Sequence, residues 1–168
     1  MCDACALTIR PAGELRTPGG LIVHPWALHE GVARTLVRRL KYEGVAAVAP
    51  LVAGFLEDRI PSDARCLVPV TRTVVRRVRY GIDPAKSLAE AISRRTGLPV
   101  VNALSPPIWN RPSAGSERES RKPPRFVSRR AVRGAVLVDD VLTTGATLDS
   151  AAAALGGVGA ALTLTGVP

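Results

Sequence analysis

Two adjacent carboxylates, Asp139 and Asp140, follow an apolar run at 134–138 and are the residues of this sequence best suited to chemistry. The run predicts a buried strand, and open α/β sheets bind ligands at the carboxyl ends of their strands. A loop with three threonines and one glycine, 143–147, leads into a predicted helix, 146–155. Backbone N–H groups, hydroxyls and the helix dipole can hold a phosphate there. Two carboxylates can accept hydrogen bonds from vicinal hydroxyls, so together with such a loop they suit a sugar phosphate as ligand. The alternative is that the Asp pair only caps the helix.

The string 135–147 resembles the phosphoribosyl pyrophosphate (PRPP) signature of type I phosphoribosyltransferases. The resemblance implies that Asp139 and Asp140 are catalytic residues that bind the ribose 2′- and 3′-hydroxyls. It also implies that the following loop wraps the 5-phosphate. The loop residues concerned are Thr143, Thr144, Gly145, Ala146 and Thr147. Enzymes of the hypoxanthine–guanine kind usually have an Asp at the position of Thr143, so the sequence argues against that subgroup.

Three upstream strings extend the resemblance to the ComF competence-protein family, which includes the gluconate-utilisation protein GntX. They are Lys41-Tyr42-x-Gly44, Val68-Pro69-Val70 and Gly81-Ile82-Asp83. The family couples a zinc-ribbon-like N-terminus to a phosphoribosyltransferase domain. In the wider fold, the loop after the Val-Pro-Val strand contacts pyrophosphate, which implies that role for Thr71, Arg72 and Thr73, with Arg72 catalytic. A solvated basic face is the alternative for this arginine-rich segment.

The implied reaction is the transfer of 5-phosphoribosyl from PRPP to an unidentified nitrogenous acceptor, a glycosyltransferase activity. Its transition state resembles an oxocarbenium ion, so the departing pyrophosphate must be neutralised and water excluded. Mg²⁺ bound with PRPP, Arg72 and the lid residues Arg118 and Arg121 could supply that charge. Segment 105–126 is dense in Pro, Ser and Arg and is expected to form a flexible lid; a solvated linker is the alternative. Its Pro123-Pro124 pair departs from the family pattern. A protein that binds PRPP without catalysing the transfer is therefore an alternative.

The N-terminal cysteines form one Cys-x-x-Cys pair, Cys2 and Cys5, where ComF proteins usually have two such pairs. His24 and His29 could complete a tetrahedral Cys₂His₂ set. However, 18 residues separate Cys5 from His24, and His29 falls in a predicted helix. We therefore regard Cys2 and Cys5 as weak zinc candidates and expect a degenerate, metal-free terminus.

The remaining patterns alternate strands and helices, which predicts an α/β protein with the type I phosphoribosyltransferase fold. This fold has a mostly parallel twisted sheet with helices on both faces and a helical N-terminal extension. The expected domains are a zinc-ribbon-like lead-in, 1–25, and a phosphoribosyltransferase domain, 26–168, with a helical extension at 26–60. The expected strands are 66–70, 99–104, 134–138 and 161–165, and the expected helices are 26–42, 45–60, 83–97 and 146–155.

Composition sets the range of partners. The 168 residues are 46% hydrophobic and carry a net charge of +9, which favours anionic ligands, although 20 Arg against 3 Lys could reflect codon usage alone. The alternative function is therefore that of a DNA-uptake accessory protein that binds single-stranded DNA or a helicase-like competence protein. Only six aromatic residues are available for base stacking. No secretory signal or membrane-spanning run is visible, so we expect a cytoplasmic protein without a membrane partner, and a homodimer is open.

Overall fold

A mostly parallel sheet organises the residues that the structure, a computed structural model, describes: 2–43, 45, 47–71, 82–105 and 124–167. Within these ranges the main sheet has five strands in the order β1-β2-β7-β6-β3, and only β1 runs antiparallel to its neighbour. A separate two-stranded antiparallel ribbon contains β4 and β5. The strands are β1 Leu15–Arg16, β2 Ile22–Leu28, β3 Cys66–Pro69, β4 Leu104–Ser105, β5 Val127–Ser128, β6 Ala135–Leu142 and β7 Ala160–Gly166.

Helices cover both faces of this sheet. They are α1 Asp3–Leu7, α2 Gly31–Arg38 with a π-helical turn at Arg39–Glu43, α3 Val48–Leu56 with a 3₁₀ turn at Glu57–Arg59, α4 Pro84–Thr96 and α5 Ala146–Ala154. Helices α2, α3 and α4 bury their apolar residues in one cluster, and α5 buries Leu148 and Ala151 in the other. The α/β class with a mostly parallel sheet is confirmed. In the described ranges, no helix combines the length and apolar character needed to cross a bilayer.

Strand β6 lies inside the sheet, between β7 and β3, and is apolar on both faces. Val136 and Val138 pack into the cluster of α2, α3 and α4, whereas Leu137 packs into the cluster of α5. Parallel strands buried on both faces are typically continuous apolar runs of this kind. Helix α4 also forms as predicted: the Asp83 side chain accepts the Lys86 N–H at 3.2 Å, and the helix ends at Gly97 with φ 76°.

The helix predicted to begin at Trp26 is wrong at its start. Residues 22–28 instead form β2, which pairs in parallel with β7 from Ile22↔Ala160 to Leu28↔Gly166, and α2 begins at Gly31. Pairing with a distant buried strand outweighs the four-residue spacing of apolar residues that begins at Leu28. The expected boundary between 25 and 26 therefore falls inside a sheet strand.

Other segments also differ from their predictions. The lead-in contains α1 and β1, and the second helix is shorter than 45–60, with Pro50 in its first turn, where a missing N–H costs little. Segment 99–104 contributes a single parallel bridge, Val100 to Leu67, before β4 begins. The expected lid, 105–126, begins with the last residue of β4 and ends just before β5, and its residues 106–123 lie outside the described ranges.

Candidate functional site

The acid pair lies within the last part of β6, not beyond its end. The strand continues through Asp139 and Asp140 to Leu142, paired with β7 along this length. Its other neighbour, β3, stops alongside Val138, whose carbonyl accepts the Val70 N–H at 2.8 Å. Among the described residues, the ladder between β3 and β6 therefore ends before Asp139. The carboxyl ends of parallel strands are the usual ligand position in an open α/β sheet.

Asp139 is the electrostatically strained member of the pair. Its Oδ1 accepts the Asp140 N–H at 2.7 Å. Burial, and next the charge of Asp140, raise the pKa of Asp139 well above its usual range; Asp83 adds to the rise, and the Asp140 N–H and Lys41 oppose it. Asp83, which caps α4, thus brings a third carboxylate into the field of the site. Such a cluster favours binding of a proton, a cation or hydroxyl groups that donate hydrogen bonds.

Lys41 is the cation of this cluster. Its Nζ lies 3.0 Å from Asp140 Oδ1, and the two side chains are only 19% and 14% exposed. The apolar spacing that begins at Leu28 places Lys41 on the outward face with Arg38 and Arg39, which is wrong: Lys41 lies in the π-helical turn at Arg39–Glu43, and its side chain reaches Asp140. Turns of this kind recur at functional sites. The string Lys41-Tyr42-x-Gly44 marks this residue in the sequence as part of the family resemblance, but it does not predict a role for the lysine.

The loop after β6 turns at Gly145 into the N-terminus of α5. Thr143 and Thr144 are exposed, and Gly145 is buried at φ 77°, a conformation that other residues rarely adopt. Gly145 is also the N-cap of α5, so no side chain at that position competes for the N–H groups of the first turn, which begins with Ala146 and Thr147. The acid pair, the loop and the nine-residue helix α5 therefore follow one another directly along the chain.

Of the three residues predicted to bind pyrophosphate, only Thr71 lies within the described ranges. Thr71, half-buried, directly follows Val70 at the carboxyl end of β3, beside the acid pair. Arg72 and Thr73 lie outside the described ranges, as do the predicted lid residues Arg118 and Arg121. Their roles stay predictions.

The candidate zinc ligands belong to different parts of the fold. Cys2 and Cys5 are free thiols on α1, whereas His24 lies within β2 and His29 directly after it. The His29 Nδ1 lies 2.7 Å from Thr165 Oγ1. Within the part of the chain that the structure describes, no three His, Cys, Asp or Glu side chains are grouped as metal ligands would be.

We expect purified protein to contain no stoichiometric zinc, because a closed structural site needs four ligands and only Cys2 and Cys5 have the spacing of a ligand pair. Elemental analysis of protein purified without chelators measures this directly. One zinc per chain, lost in Cys5→Ser and retained in Cys66→Ser, would contradict the prediction; Cys66 is the matched control because it is buried in β3.

Removal of the Lys41 charge should destabilise the fold, because it removes a cation that lies 3.0 Å from the partly buried carboxylate of Asp140. Removing one partner of a buried ion pair costs about 3–5 kcal/mol, and the partial exposure here lowers the expected loss for Lys41→Met to about 1–3 kcal/mol. Adding Asp140→Asn should recover most of that loss. Urea unfolding of the two single variants and the double variant measures the coupling, and strictly additive effects would contradict an energetic pairing.

Comparison with known proteins adds no relative. No protein-family model matches the chain, and a search of curated proteins finds no match.

Proposed function

We propose that this protein binds PRPP and, as a ComF/GntX-like member of the type I phosphoribosyltransferase fold, transfers 5-phosphoribosyl to a nitrogenous acceptor. One observation carries the proposal: Asp139 and Asp140 lie in the last part of β6 and lead directly through the glycine turn at Gly145 into the N-terminus of α5. A ribose 5-phosphate matches this order, because its 2′- and 3′-hydroxyls can face the acid pair while its phosphate faces the helix N-terminus. An acid pair that served only as a helix cap would not need a third carboxylate and a lysine beside it.

The roles follow from the chemistry of each part. Ionised carboxylates accept hydrogen bonds from the ribose 2′- and 3′-hydroxyls, and such charge-assisted bonds are stronger than neutral ones. The N–H groups of 145–147 and the hydroxyls of Thr143, Thr144 and Thr147 bind the 5-phosphate. Thr71, at the end of β3, begins the segment that would receive pyrophosphate. The site is thus complementary to PRPP along one edge of the sheet.

The carboxylates near the site favour a divalent cation as the companion of PRPP. Asp140 and Asp83 both act electrostatically on Asp139, and such a cluster of acids disfavours a bare pyrophosphate. Mg²⁺ bound with PRPP would neutralise the leaving group during transfer. The chain's own contribution is to orient the ribose, to hold the 5-phosphate and to exclude water from the anomeric carbon.

A second candidate function is binding of single-stranded DNA, as in a competence accessory protein with a helicase-like partner. The observation that favours it is the group of exposed arginines on either side of β5, which comprises Arg125, Arg129, Arg130 and Arg133. Contacts of this type neutralise phosphates without reading sequence, so the affinity falls steeply with salt.

The two functions are separated by calorimetric titration with Mg²⁺–PRPP and with a single-stranded oligonucleotide at low and physiological salt. We expect PRPP binding to persist at physiological salt, where charges are screened over about 8 Å, and to be lost with excess chelator. We expect oligonucleotide binding to weaken by about tenfold or more over the same range. Tight oligonucleotide binding at physiological salt without saturable PRPP binding would contradict the transferase and favour the second candidate.

A further inference from the structure

The hairpin between β1 and β2 reaches the phosphate loop with its tip. Its three-residue connection, 18–20, ends with Gly20 at φ 84°, and the Thr17 N–H donates to the Leu21 carbonyl at 3.0 Å. A glycine in this conformation at the end of a three-residue hairpin is a common and stable arrangement. The tip is therefore a defined turn rather than an irregular lead-in.

The tip is bonded to Asp149 in α5. The Thr17 hydroxyl donates to Asp149 Oδ1, and the Gly19 N–H donates to Asp149 Oδ2 at 3.0 Å, so each carboxylate oxygen has its own donor. Thr17 is 5% exposed, and its Oγ1 also accepts the Leu21 N–H at 3.1 Å. The same hydroxyl thus stabilises the turn and joins it to the helix that starts at the phosphate loop.

Close packing at two glycines supports this contact independently. A Cβ atom at Gly145 would lie 2.8 Å from the Thr17 Cβ and Cγ2 atoms and 3.0 Å from the Pro18 Cδ atom. A Cβ atom at Gly19 would lie 2.7 Å from Asp149 Oδ1. The hairpin therefore touches the turn that gives the loop its shape, and at Gly145 the close contact and the positive φ together disfavour any side chain.

We propose that Thr17 is a positioning residue for the 5-phosphate loop, acting through the bond of its hydroxyl to Asp149. The inference rests on the proposed function and assigns the N-terminal hairpin to the ligand site. A phosphate cradle of backbone N–H groups binds well only when its turn is already held in the binding geometry, since ordering it on binding reduces affinity. The hairpin tip supplies that order before the ligand arrives.

Thr17→Val tests the proposal, because it preserves the branched shape and removes only the hydroxyl. We expect Mg²⁺–PRPP affinity to fall by about tenfold, the loss typical of one hydrogen bond to a charged group. The affinity for Mg²⁺–pyrophosphate should not change, because that ligand lacks a 5-phosphate. Thr17→Ser keeps the hydroxyl and should bind both ligands as the wild type does. Arg16→Ala is the matched control on the same hairpin, since Arg16 pairs with exposed Glu14.

The outcomes separate this inference from the proposed function. Unchanged PRPP affinity in Thr17→Val, or an equal loss for both ligands, overturns the role of Thr17. If the wild type does not bind PRPP, the proposed function fails, and amide exchange at 143–147 in the ligand-free protein then decides on positioning. Exchange at least about tenfold faster in Thr17→Val than in wild type and Arg16→Ala supports it, and equal rates overturn it.

Discussion

Replacing Asp139 and Asp140 together by Asn should reduce the affinity for Mg²⁺–PRPP by about 100-fold or more. Each carboxylate would lose charge-assisted hydrogen bonds worth about 1.5–3 kcal/mol, and 1.4 kcal/mol corresponds to a factor of ten. The amide keeps the shape of the side chain and one acceptor, so the loss measures charge more than packing. Isothermal titration calorimetry with wild type and the double variant under the same salt and magnesium conditions gives the ratio directly.

A matched control is Asp63→Asn, because Asp63 is exposed in the loop before β3, at the opposite end of the sheet from the acid pair. It makes the same change in charge and should leave PRPP affinity unchanged, so a general effect of net charge can be recognised. An unaltered affinity in a folded Asp139→Asn, Asp140→Asn variant would contradict the assignment of the ribose site to β6.

Local signals in the sequence account for the parts of the fold that could be predicted. The apolar run before Asp139 predicts a buried strand from its own residues, and Asp83-Pro84 predicts the start of α4 because cap and proline act within one turn. The loop at 143–147 also depends on a local property, the freedom of Gly145 to adopt a positive φ. Each of these features is determined by fewer than about ten consecutive residues, so it can be predicted from the local sequence.

Features that depend on distant pairing could not be predicted in the same way. Strand β2 is stabilised by its pairing with β7, which begins with Ile22 opposite Ala160. The local sequence around Trp26 does not indicate that partner. The contact of Thr17 with Asp149 likewise joins residues 132 positions apart. Lys41 reaches Asp140, about 100 positions away in the sequence, although the apolar spacing that begins at Leu28 predicts an outward direction for it. In all three cases tertiary packing decided between locally acceptable alternatives.

The acid pair should also limit the stability of the ligand-free protein, and Asp139→Asn alone should raise its unfolding temperature at neutral pH. Burial and the neighbouring charge of Asp140 raise the pKa of Asp139 in the folded state, whereas the unfolded chain ionises at about pH 4. Between these two values the folded state binds more protons than the unfolded state. Stability from this group is therefore complete below about pH 4 and is lost as the pH rises through the folded-state pKa.

Asn carries no proton to lose, so the advantage of Asp139→Asn over wild type should be smallest near pH 4 and should increase towards pH 7.5. For a chain of this size the unfolding temperature should rise by about 2–4 °C for each kcal/mol of penalty removed. Thermal unfolding followed by circular dichroism across this range tests the trend, with Asp63→Asn as the control. A difference that is constant with pH, or a wild type that is the more stable at pH 7.5, would contradict the strain assigned to Asp139. The expected combination of higher stability with weaker PRPP binding is the signature of a charged group retained for its ligand at a cost to the fold.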